Sequence, residues 1–448
     1  MWVGAFCQVQ AEVTNKDLFN GKNIVGIEKI VAELKAPQAH WRLAANKRID
    51  KYRKADLAIT VIDKITRQPV KNIAVELKMV QHQFRFGGII KAVDYRKNVN
   101  AYQNAYVNFG FNAAGFCNGL KYKLRRGAAR TRPEEIIDWL RSRNIYLRGH
   151  CLIWPGLKHL PVELAKLVKN YNGSVQQQQQ IRQLCNQVIA AWAKKWDVDE
   201  WDVINEPREN KAVQQILGKK IEAEWFSTAQ KNLKTQGGLL YLNENRVISD
   251  PGSGFYRKRR PKRVEPWQIK TAKVMTYYNN VKLLLKAKAP LSGLGFQSRF
   301  INKVPPEIIY GRLQLFNEFN LPIAATEFEM KPKIGSEFDK AMMTERVMTI
   351  YFSHPLVNGI YAWSLLSGAD KQNRGLLDDD YCPNLRGKIW LYLTKQLWNS
   401  DTVLKTDING SSRQRLFKGQ YLVTVDVGGK SKQITLSLLK NKKITIEI

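Results

Sequence analysis

From residue 84 to residue 363 the chain alternates short apolar runs with longer segments in which apolar residues recur every three or four positions. Eight runs stand out: 86–90, 109–114, 145–147 leading into His150, 201–204, 239–242, 294–296, 323–325 and 359–363. Short unbroken apolar runs are the mark of strands buried on both faces. The intervening segments have helical spacing. Residues 181–196, for example, place Ile181, Leu184, Val188, Ile189, Trp192 and Trp196 on one face. The glutamine tract before them (174–180, SVQQQQQ) reads as a solvated first turn. Eight strands, each followed by a helix, predict an α/β fold of the (β/α)8 TIM barrel type, with chemically active side chains at the strand C-termini. A doubly wound sheet fits less well, because nothing marks a nucleotide-type crevice.

The two ends of the chain change period. Residues 58–62 are a β-branched run, followed by a turn at 66–69 and a second run at 73–77, which together signal a hairpin. Beyond Trp398 the pattern is all-β, with strands expected at 420–427, 433–438 and 443–448. Three strands do not readily close a core alone. The hairpin and the tail are therefore expected to pair into one small β-sandwich beside the barrel. The expected division is 1–55 as an irregular and helical segment (a helix near 26–36), 56–82 with 402–448 as the sandwich, and 83–401 as the barrel.

Composition narrows the class of molecule. The 448 residues are 44% hydrophobic and 25% charged, ordinary globular values that exclude a disordered or fibrous chain. No apolar run is long enough to span a membrane. The five cysteines (Cys7, Cys117, Cys151, Cys185, Cys382) form no CxxC pair or disulfide framework, and the five histidines never take an HExxH spacing. No phosphate-binding glycine motif occurs, so no nucleotide, metal or other cofactor is implied. The opening residues MWVGAFCQVQAEV hold a short apolar stretch without a charged front, which does not make a secretory signal. Two glycosylation acceptors, at Asn172 and Asn409, suit an extracellular protein, and that is the expectation. The charge is unusual: 72 Lys and Arg against 39 Asp and Glu give +33. Such a surface attracts polyanions, and residues 257–263 (RKRRPKR) concentrate it after the fifth strand. No nucleic-acid motif accompanies the charge, so no nucleic-acid partner is expected. A monomer is the starting expectation.

The chemistry concentrates at two strand ends. Residues 201–207 (WDVINEP) put Asn205 and Glu206 where one buried strand stops, and residues 324–329 (AATEFE) put Glu327 and Glu329 where another does. These are the fourth and seventh strands, which face each other across a barrel mouth. Two opposed carboxylates are the minimum equipment for glycoside hydrolysis.

With these motifs the chain resembles glycoside hydrolase family 10, the endo-β-1,4-xylanases. WDVINEP resembles the family's acid/base motif and ATEFE its nucleophile motif. CNGLKY at 117–122 resembles Glu-Asn-x-x-Lys-Trp, RGHCLIW at 148–154 matches RGHxxxW, GFQSR at 295–299 resembles Gly-x-Gln-x-His, and Ala362-Trp363 matches the aromatic floor of the last strand. The hairpin and β tail resemble members with a small accessory β-sandwich. The resemblance implies that Glu206 is the general acid/base and Glu327 the nucleophile, about 5–5.5 Å apart, working with retention. It implies that Asn205 bonds the sugar 2-hydroxyl and that Asn118, Lys121 and His150 hold sugar hydroxyls. Trp154 and Trp363 would offer flat faces to sugar rings, and Gln297 would orient the nucleophile. Xylan, including acidic glucuronoxylan, is the implied partner.

Four positions depart from that pattern. Cys117 replaces an acid, Tyr122 a tryptophan, and Arg299 the histidine that bridges the nucleophile and a second acid, here Glu329 in place of aspartate. A guanidinium can bridge two carboxylates and is expected to keep Glu327 ionised while Glu206 holds the proton. Other readings stay open at this level: cleavage of another β-1,4-glycan, a glycan-binding protein on a degraded catalytic scaffold, and a polyanion-binding protein.

Overall fold

The computed structural model describes residues 24–122, 133–252, 264–368 and 373–448. The basic segment 257–263 and the first residues of the chain lie outside the described residues. In chain order the strands are β1 (Lys54–Ile62), β2 (Ala74–His82), β3 (Arg85–Ile90), β4 (Ala113–Phe116), β5 (Tyr146–Ile153), β6 (Glu200–Asn205), β7 (Leu239–Glu244), β8 (Gly293–Phe296), β9 (Arg299–Phe300), β10 (Ile323–Met330), β11 (Val357–Ala362), β12 (Thr402–Lys405), β13 (Ser411–Phe417), β14 (Gly419–Val427), β15 (Lys430–Leu438) and β16 (Lys442–Glu447).

Strands β3, β4, β5, β6, β7, β8, β10 and β11 pair in parallel in that order, and β11 pairs back onto β3. The result is the closed eight-stranded barrel expected from the sequence. Every residue of β4, β6, β8 and β10 is buried, because helices cover the outside and side chains fill the inside. The second strand begins later than its apolar run. Phe109 and Phe111 precede it and pack in the core. Close packing between neighbouring strands is explicit at Gly149, where a Cβ would come within 2.4 Å of the Trp201 ring. Short β9 extends the far end of β10, with Arg299 opposite Glu329. Residues 175–195 form one helix whose first turns carry the glutamines, with Ile181, Val188, Ile189 and Trp192 buried.

The barrel interior is not purely aliphatic. Arg148, 1% exposed, pairs with both Glu200 and Asp202. Glu200 also receives Arg85 at 3.1 Å, Tyr146 Oη at 3.1 Å and Tyr361 Oη at 3.2 Å. Charged groups survive at this depth only because each finds such partners.

The chain ends form a two-sheet sandwich, with sheet orders β13-β1-β16 and β12-β2-β14-β15. Leu57, Ile59, Val61, Val75, Leu77, Tyr421, Val423 and Leu438 share its core. One sequence expectation is corrected here. Strands β1 and β2 do not pair as a hairpin but enter opposite sheets, β1 against β13 and β16, β2 against β12 and β14. The alternating burial of β1 suits either arrangement. Only the tail strands decide between them. Ahead of the sandwich, a helix at His40–Arg53 buries Arg42, which clasps Glu345 with bonds of 2.6 and 2.7 Å. Its last residue, Arg53, donates to the carbonyls of Phe352 and Val357 at 2.6 and 2.7 Å, tying the sandwich side to the barrel.

Candidate active site

Two carboxylates, Glu206 just after β6 and Glu327 within β10, come from strands of the same barrel. Glu206 follows the last residue of β6. Its backbone takes a left-handed turn (φ 53°) while its N–H still donates to Asn243 O at 2.8 Å. That turn swings the side chain off the strand line and leaves it half-buried. Glu327 sits inside β10, only 4% exposed.

A chain of amides links the two. Gln297 Nε2 donates to Glu206 Oε1 at 2.7 Å and to Asn205 Oδ1 at 3.4 Å. Asn243 Nδ2 donates to the same Asn205 Oδ1 at 3.0 Å and to Glu327 Oε1 at 3.3 Å. Thr326 Oγ1 fixes the Asn243 amide by donating to its Oδ1 at 2.7 Å. Gln297 therefore lies against Glu206 rather than the nucleophile candidate it was expected to orient. The residue on Glu327 is Asn243 of β7. Sequence reading passed it over, although Leu240-Tyr241-Leu242-Asn243-Glu244 has the same form, an apolar strand ending in polar groups, as the two motifs singled out. Asn210 Nδ2 completes the shell with a bond to Glu206 Oε2 at 3.1 Å.

Arg299 bridges the two acids of β10, with Nη1 3.5 Å from Glu327 Oε2 and Nε 2.6 Å from Glu329 Oε1. The bridge does not keep Glu327 ionised as expected. Burial pushes its carboxyl up to about 8, Arg299 pulls against that shift, and the nearby Glu206 adds to it. A carboxylate 4% exposed loses more hydration than one guanidinium, shared with Glu329, restores. At Glu329 the balance reverses. Burial works to raise it, but Arg299, Lys331 (2.8 Å) and Arg374 (3.2 Å) together hold it below the ordinary carboxylate range.

The remaining predicted residues surround these. His150 is buried with Nδ1 2.7 Å from Asp202 Oδ2, and burial, aided by Lys121, lowers its proton affinity against that partner. Asp202, not foreseen, thus serves both His150 and Arg148. Lys121 Nζ donates to Asn118 Oδ1 at 3.1 Å and lies 4.9 Å from the centre of the Trp154 ring. Trp154 stacks on His159 with ring centres 3.4 Å apart, so one face of this indole is already covered. The Trp363 ring is half-buried, with the Arg299 guanidinium 4.7 Å from its centre and His150 edge-on at 6.5 Å. Trp154 lines two cavities. One, of about 290 Å³, is lined by Asn118, Lys121 and Tyr122, and the other, of about 720 Å³, by Glu206, Glu209, Asn210 and Lys211. Cys117, raised in pKa by burial, is a neutral thiol at this mouth.

Comparison with known proteins follows the same outline. The glycosyl hydrolase family 10 profile matches residues 77–251 and 265–373, more than half of the chain. Among curated proteins, the chain is 25% identical over 406 residues to anti-sigma-I factor RsgI6 of Acetivibrio thermocellus, covering 89% of this chain and 48% of that protein. It is 24% identical over 362 residues to endo-1,4-beta-xylanase 3 of Arabidopsis thaliana, covering 78% and 43%. The chain thus spans less than half the length of these curated relatives. Among solved structures, xylanase 10B from Thermotoga maritima superposes with a TM-score of 0.56 at 18% identity, covering 70% of this chain and 96% of that one, a likeness of fold. With each carboxylate strand inside a matched segment and more than half of the chain covered, the chain belongs to glycosyl hydrolase family 10.

Proposed function

We propose that the chain is a retaining endo-β-1,4-xylanase, with Glu327 as nucleophile and Glu206 as acid/base. One observation carries the reading: the hydrogen-bonded relay Glu206–Gln297–Asn205–Asn243–Glu327, which links the carboxylate after β6 to the one within β10. Glu327 attacks the anomeric carbon while Glu206 gives its proton to the departing glycosidic oxygen. The glycosyl ester on Glu327 then yields to water, whose proton returns to Glu206. Asn205, held from two sides through its carbonyl, directs its amide N–H at the sugar 2-hydroxyl. The xylanase names of several relatives support xylan as substrate. Release of reducing ends from xylan, compared with cellulose and mixed-linkage glucan, tests the proposal. Release from xylan is expected, and release from the glucans alone would refute the choice of sugar.

The coupled pair also predicts a pH profile. Reaction needs one proton on the pair, residing on Glu206, and a charge on Glu327. With Glu327 pushed up to about 8, the pair keeps its shared proton to about that pH. kcat/KM is expected to fall above pH 8 with unit slope. Arg299→Gln removes the charge that pulls Glu327 down, so it should move this limb upward. A limb that stays put in the variant would contradict the coupling.

A second reading has its own support. Glu327 is buried, holds a proton more tightly than an ordinary carboxyl and faces a guanidinium that also holds Glu329, all of which blunts a nucleophile. Binding of xylan without release of reducing ends would make the chain a glycan binder on the family scaffold.

A further inference from the structure

The two main departures from the family pattern shift charge in the same direction. At 117 a neutral thiol stands where the pattern has an acid, and at 299 a permanent cation stands where it has an imidazole. Both positions lie near Glu327. Lys121, Lys91, Glu327 and Arg299 all act electrostatically on Cys117. Arg299, Lys331 and Arg374 converge on one oxygen of Glu329, at 2.6, 2.8 and 3.2 Å. Three cations on one carboxylate repel each other, and the effect is visible at Lys331. Burial lowers its proton affinity and Glu329 opposes this, while Arg299 and Arg374 lower it further. The side chains of Arg299 and Lys331 remain 28% and 23% exposed, so a bound anion can reach them. Arg299 also lies over Trp363, the expected floor for a sugar ring, which puts the charge beside the sugar.

Building on the xylanase reading, we infer that this site selects xylan bearing uronic-acid substituents, with Arg299 and Lys331 receiving the substituent carboxylate beside Trp363. A carboxylate there relieves cation–cation repulsion that a neutral chain leaves standing. The formal charge of +33 adds long-range attraction for the same acidic polymer.

The test is calorimetric binding of a matched pair of xylo-oligosaccharides, with and without one glucuronic acid branch, to the full chain carrying Glu327→Gln to prevent turnover. The acidic ligand is expected to bind about fivefold tighter or more at low salt, and the preference should shrink as ionic strength rises. Adding Cys117→Glu, Arg299→His or Lys331→Met should each bring the ratio of the two affinities towards one. Three separate variants guard against one that fails to fold. If the neutral ligand binds and the acidic one binds no tighter, the inference is wrong and the xylanase reading stands. A preference that survives all three substitutions also overturns it. If neither ligand binds, the xylanase reading falls and this inference with it.

Discussion

Glu327→Gln is expected to lower kcat/KM on xylan by at least about 10⁴-fold, because an amide cannot form the glycosyl ester on which a double displacement depends. The fold should be untouched. The carboxyl is buried, and burial pushes its pKa up to about 8, so an uncharged amide of the same shape is a close replacement. Its carbonyl can accept from Asn243 Nδ2, as Glu327 Oε1 does at 3.3 Å. Reducing-sugar release measures the activity, and circular dichroism with a thermal melt establishes that the loss is chemical. A drop smaller than about tenfold would remove Glu327 from the reaction. The glycan-binder reading makes the opposite forecast: no turnover in either protein, and equal retention of xylan by both.

The second large effect is on stability. Arg148→Met should destabilise the protein by about 3–5 kcal/mol, the usual consequence of removing one partner from a buried charge network. Arg148 is 1% exposed, pairs with Glu200 and Asp202, and lies 4.5 Å from the centre of the Tyr241 ring. Glu200 keeps Arg85, Tyr146 and Tyr361 when the guanidinium goes. Asp202 is left with His150 at 2.7 Å and, released from Arg148, can shift and carry the imidazole with it, so the variant should lose substrate affinity as well as stability. Urea unfolding of the two proteins measures the difference. Arg148→Lys should recover only part of it, since one ammonium does not span two carboxylates. A loss under about 1 kcal/mol would show that the pair of acids needs no central cation.

The barrel was legible in the sequence for a definite reason. Its strands are buried on both faces, so each appears as an unbroken apolar run, and the helices between carry the 3.6-residue period. The two glutamates were legible because each ends such a run. What escaped was held by long-range partners. The helix at His40–Arg53 has little apolar face of its own. Arg42 occupies part of its buried side, which becomes tolerable only through Glu345, some three hundred positions away. Strands β12 and β13 went unread because they are short or polar, SSRQRLF in the case of β13, and take their place by pairing with β2 and β1. The hairpin was misread because the turn at 66–69 is local, whereas the choice of sheet belongs to the tail. Inside the site, residue types pointed to the chemistry but not to who holds whom. Gln297 and Asn243 divide the two acids in a way that only the geometry of β7 and β8 reveals. The elevated proton affinity of Glu327 follows from burial, and no motif records burial.

The central claim is that Glu327 forms a covalent bond to the sugar while Glu206 manages the proton, and trapping the intermediate tests it most directly. The chain is incubated with a 2-deoxy-2-fluoro xylobioside carrying a good leaving group, and the intact protein is weighed and then mapped by peptide mass spectrometry. The account predicts a mass increase of one fluorinated xylobiosyl unit, located on Glu327 and absent from Glu327→Gln. An adduct on another residue, or an active enzyme that hydrolyses the reagent with inversion and leaves no adduct, would contradict it.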